Sequence, residues 1–114
     1  MAISVPAASN ASFTSTNGSN VSVTFPVGSM ALGDWIYIFG GHFRYSSGTG
    51  KQVGPASDGW ETVYIENSGG STNALGCWRK LWDGSEASVS CYGGQGSGDG
   101  VAYGRIILRE SGNV

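Results

Sequence analysis

Residues 77–91 read CWRKLWDGSEASVSC. The stretch holds both cysteines of the chain and two of its four tryptophans. Polar and apolar residues alternate on either side of Asp83-Gly84, a dipeptide that favours tight turns. The pattern predicts two antiparallel strands joined by a hairpin. With a three-residue loop at 83–85, Cys77 falls opposite Cys91; with a two-residue loop it faces Ser90. The first register leaves a cross-strand disulfide sterically open. Two free thiols are the simpler expectation, because buried cysteine packs as a small hydrophobe. The opening residues MAISVPAASNASF also carry no basic segment and no long apolar run, so no secretory signal is expected. Alternation places Trp78, Lys80 and Trp82 on one face of the first strand. Leu75, Cys77 and Leu81 take the other.

Strand signals continue outward in both directions. Residues 101–110 form an aliphatic strand centred on Ile106-Ile107-Leu108, after the glycine-rich loop GGQGSGDG at 93–100. Upstream, residues 60–66 alternate, behind a long polar loop at 46–59 punctuated by Pro55. Residues 35–39, WIYIF, are apolar at both parities, so cover is expected on both faces of that strand. The strand is expected to bend at Gly40-Gly41 and run on toward Phe43 and Tyr45. Residues 21–25 alternate and stop at Pro26. No 3.6-residue period competes anywhere. The reading is an all-β chain: a single antiparallel β-sandwich or jelly roll with long Gly/Ser-rich loops. Residues 1–20 form a polar N-terminal arm or edge strand, and residues 21–114 form the sandwich domain.

Composition narrows the function. A chain of 114 residues buries about two-thirds of the surface it exposes when unfolded, enough for a core without metals or staples. Six Lys and Arg are scattered along the chain, so no basic surface for nucleic acid is expected. No apolar run is long enough to cross a bilayer. At 12% charged residues, long-range repulsion between copies is weak.

Recognisable catalytic chemistry is missing. His42 is the one histidine and belongs to a strand, where a structural role is the common one. Two cysteines and one histidine at these spacings make no zinc site. Residues 48–52, GTGKQ, look superficially like a phosphate loop. Tyr45 stands where such a loop needs glycine, however, and Gln52 where it needs Ser or Thr. Asp99 reads as a turn residue. No catalytic residue, cofactor or metal is expected. The informative residues are aromatic. Trp35, Tyr37, Trp60, Tyr64, Trp78 and Trp82 lie on or beside strands, as core packing or as a surface for partner subunits. A small sandwich buries one face of each sheet, so apolar area on both faces predicts a partner.

The ordered set of segments resembles a β-sandwich domain of tailed-bacteriophage virion proteins. It comprises the alternating strand ending at Pro26, Gly33-Asp34 leading into Trp35-Ile36, and Pro55 before Gly59-Trp60. Trp78-Arg79-Lys80 then leads into Asp83-Gly84-Ser85-Glu86, and Ile106-Ile107-Leu108 is followed by Gly112. The resemblance implies a non-enzymatic head decoration or cement protein, or a tail or fibre part. Its expected partners are the major capsid protein and further copies of itself, as a homotrimer. It implies a place on the capsid surface of the virion, reached by assembly in the host cytoplasm. The polar arm is a candidate for docking by strand addition. The alternative is a glycan-binding tail module, with sugar rings stacked on Trp60, Tyr64, Trp78 and Trp82.

Overall fold

The computed structural model describes residues 2–6, 8–15, 19–43, 52–67, 74–93 and 100–110. Residues 44–51, the 94–99 loop with Asp99, and Gly112 lie outside the described residues. The strands in chain order are β1 (Ile3–Ser4), β2 (Ala11–Ser15), β3 (Val21–Thr24) and β4 (Trp35–Phe43), followed by β5 (Glu61–Asn67), β6 (Ala74–Leu81), β7 (Ser88–Cys91) and β8 (Gly100–Glu110). Among the described residues one 3-10 turn, Val27–Ser29, interrupts them. The described chain is nearly all β, and its pairings are antiparallel in two sheets. The large sheet runs β8–β4–β6–β5, with β1 and β2 following one another along the outer edge of β8. The small sheet is β3–β7, extended by Pro55 bridging to Cys91.

The expected hairpin at 77–91 does not form. The segment splits between the sheets: β6 pairs with β4 and β5, whereas β7 pairs with β3. Both edges of β6 are therefore taken, and β7 has no place beside it. The turn itself exists. Asp83 accepts bonds from the Ser85 amide at 2.9 Å and from its hydroxyl at 2.6 Å. It redirects the chain because Trp82 is pinned first: its amide donates to Asp34 O at 2.8 Å and its carbonyl accepts from Gly33 N at 3.1 Å. The Trp82 indole then donates to Glu86 O at 2.9 Å, which sets the exit toward the second sheet.

One buried cluster joins the two sheets. Val21, Val23 and Phe25 meet Val89 and Cys91 from the small sheet, above Ile36, Ile38, Trp78, Val101, Tyr103 and Ile107 of the large one. The Trp78 ring lies so close to Gly54 that an added Cβ there would stand 2.4 Å from its Cε2, and Gly54 has φ +92°. The Tyr103 hydroxyl accepts from Gly54 N at 3.0 Å and donates to Tyr92 O at 2.5 Å, tying the 52–56 segment to the end of β7.

Of the first twenty residues, Ile3–Ser4 and Ala11–Ser15 are engaged within the subunit. Phe13 packs on the core and β2 pairs with β8. Arg105, buried on β8, donates to the carbonyls of Ala8, Ser9 and Thr24 and so clamps this segment to β3. Arg109 grips Asp34 with two 2.7 Å contacts and also donates to Ser29 O at 3.1 Å. Asp34 is almost fully buried and accepts a further bond from Ala31 N at 2.8 Å.

The Arg109 hydrogen bonds hold the Asp34 carboxyl below its ordinary pKa against the opposing effect of burial. The unfolded chain therefore binds that proton more tightly. The stabilisation is complete above about pH 5 and is lost as pH falls through the lowered folded value. Asp34→Asn should cost about 3 kcal/mol at neutral pH and flatten the acid limb of the stability curve, measured by urea unfolding across pH. Gly54→Ala should cost more than about 1 kcal/mol, because it combines a left-handed backbone with a clash against Trp78.

Candidate interaction surface

The pleat sends Ile36, Ile38, Trp78, Tyr103 and Ile107 toward the small sheet, and residues of opposite parity to the other face. Register lays those out in rows across β8, β4, β6 and β5. Leu108, Trp35 and Leu81 form the first row, and Ile106, Tyr37, Arg79 and Glu61 the second. Gly104, Phe39, Cys77 and Tyr64 form the third, and Ala102, Gly41, Leu75 and Glu66 the fourth. The two-stranded sheet lies on the opposite side, so the expected cover on both faces of β4 is met on one face only. Phe39, Tyr64, Leu75 and Leu81 are 48%, 53%, 54% and 47% exposed.

Polar residues border this face. On the β5 side stand Glu61 and Glu66; on the β2 side stand Ser12 opposite Gly104 and Thr14 opposite Ala102. The charge inside the border is compensated locally. Arg79 Nε meets Glu61 at 2.8 Å, its second nitrogen meets the other carboxylate oxygen at 3.3 Å, and its third donates to Tyr37 Oη at 3.2 Å. The guanidinium lies 4.3 Å above the Trp35 ring. Tyr64 Oη donates to Glu66 at 2.8 Å. The Phe39 ring lies across Gly104, where an added Cβ would come within 2.5 Å of it. Glycine at 104 therefore leaves room for the Phe39 ring.

The six aromatics expected at a partner surface divide evenly. Trp35, Tyr37 and Tyr64 belong to the open face. Trp78 is buried at 5% exposure, and Trp60 and Trp82 pack partly buried against the same core. The β6 parity already put Leu75, Cys77 and Leu81 together on the outer side. Phe39 joins them on the open face, and its shared parity with Trp35 and Tyr37 is the sequence signal for that placement.

Two further features bear on chemistry. A shallow groove of about 290 Å³ is lined by Trp35, Gly59, Glu61, Arg79, Lys80 and Leu81. His42 is buried on the core side of β4, and its Nε2 donates to Gln52 O. Among the described residues, no group of three or more His, Cys, Asp or Glu is placed to hold a metal. No described helix is long and apolar enough to cross a membrane. Comparison of the chain with protein-family models, with curated proteins and with solved structures finds no match.

Both cysteines are free thiols. Cys91 lies in the core between the sheets, where burial pushes its pKa up to about 12. Cys77 is half-buried on the open face, and desolvation raises its pKa as well. In dilute solution without reductant, an alkylating reagent should label Cys77 slowly and spare Cys91, and denaturant should release both. Native labelling of Cys91, or a denatured chain lacking free thiol, would contradict this placement.

Proposed function

We propose that this chain is a non-enzymatic structural subunit of a tailed-phage virion, a capsid decoration protein of β-sandwich type. In this reading the large and small sheets are the two layers of the sandwich or jelly roll. Support for the layering comes from the single core cluster shared by both sheets. The observation that carries the function is the apolar surface left exposed. Phe39, Tyr64, Leu75 and Leu81 lie on the open face of the large sheet, Val63 and Ile65 on β5, and Ile3, Val5, Val27 and Leu32 on β1 and the segments that flank it and β4. A subunit with this much exposed apolar surface can hold more than one neighbour, as a clamp on a shell must. Each copy bound across a capsomer boundary adds interface that shell rupture has to break, which stabilises the shell by linkage. The ordered segments that resemble the virion domain supply the setting, with the major capsid protein as partner on the outer surface.

β1 and β2 pair with β8, so shell contact in this reading comes from exposed side chains of the folded subunit, not from strand donation. Glycan binding has less support. Trp78, Trp60 and Trp82 are turned to the core, and the Trp35 ring carries Arg79 on one face.

An antibody against the chain should label the heads of particles purified from the source culture, seen by electron microscopy. Removing the subunit should lower the temperature at which those heads release DNA. Labelling confined to tails would favour the tail-module alternative, and unlabelled particles would end the virion reading.

A further inference from the structure

We infer that the open face of the large sheet is covered by the same face of a second copy of this chain. The inference rests on the reading of the chain as an assembly subunit, and it names that subunit's first partner.

Area is the first argument. With Phe39, Tyr64, Leu75 and Leu81 about half exposed and their neighbours half-buried, the face offers on the order of 700 Å², close to the ~800 Å² per partner of a stable interface. Charge is the second. Arg79 is already paired with Glu61, so the apolar centre presents no net charge for an oppositely charged partner to read. An identical face meets it without like-charge conflict, while Glu66, Ser12 and Thr14 stay at the wet margin. Packing is the third. The Phe39 ring fills the space over Gly104, and two sheets that meet face to face stack about 10 Å apart with their strands within about 30° of each other. A ring of three copies, as the resemblance implies, would set this face against a different patch of the next copy, whereas a face that meets its own kind closes as a pair about a two-fold axis.

Light scattering and sedimentation of the intact chain over a concentration series should show a mass of two copies. Leu75→Lys places an ammonium in the fourth row of the contact, where Leu75 is 54% exposed. Within its own sheet that lysine faces Glu66 across the β5–β6 pairing, so the fold accommodates it. Leu75→Lys should keep the native circular dichroism and weaken pairing at least ~100-fold. Leu81→Lys serves as a second variant should the first unfold. In the unmutated chain, alkylation of Cys77 should slow as concentration rises, in step with the mass. A chain monomeric at every concentration, an oligomer that survives in a folded lysine variant, or a Cys77 rate independent of concentration would overturn the inference. A monomer that still labels particle heads defeats the pairing and spares the virion reading. A pair absent from particles does the reverse.

Discussion

Successive side chains of β4, β6 and β8 point to opposite faces of the large sheet, and the second sheet is only two strands wide. It covers one face. The buried cluster of Ile36, Ile38, Trp78, Tyr103 and Ile107 follows from that cover, and so does the open lattice of Trp35, Tyr37, Phe39, Leu75 and Leu81. Because the apolar residues of WIYIF occupy both parities, no register of β4 hides them all. The surplus on the outer side is the physical root of the functional reading.

Holding a two-stranded sheet over a larger one requires the chain to cross between layers at fixed points. Trp82 marks one crossing, clasped through its backbone to Gly33 and Asp34, which Arg109 in turn fixes from β8. The 52–56 segment marks another, held to Tyr103 and laid against Trp78 through Gly54. Arg105 marks a third, binding the Ala8 and Ser9 carbonyls on one side and Thr24 on the other. These buried polar groups are satisfied by backbone partners distant in sequence, which makes them specific to this arrangement of layers.

Alternation made the strands read at 21–25 and 60–66 legible, apolar runs marked those at 35–39 and 101–110, and alternation sorted β6 into its two faces; β3, β5, β4 and β8 lie on those stretches. Alternation could not say which strand lies beside which. Asp83-Gly84 looks like a hairpin tip because the Asp83–Ser85 turn is local. Whether the two flanking strands then pair depends on whether an edge of β6 is free, and β4 and β5 occupy both. The open face was half legible for the same reason. Parity identifies residues that share a side, as for Trp35, Tyr37 and Phe39. Deciding which side meets the small sheet needed the long-range pairings, and these sent Trp78 inward and left Tyr64 outside. Asp34 and Arg109, 75 positions apart, gave no local sign of their bond.

The position of β8 has a consequence for biosynthesis. Of the described strands it is the last to leave the ribosome, yet β1, β2 and β4 all require it as a neighbour, and it carries both clamping arginines. Until it emerges, β1 and β2 have no sheet to join and β4 has a bare edge. The large sheet therefore closes only after residue 110 is made, and a translation product that stalls before residue 100 remains an adhesive, protease-sensitive fragment.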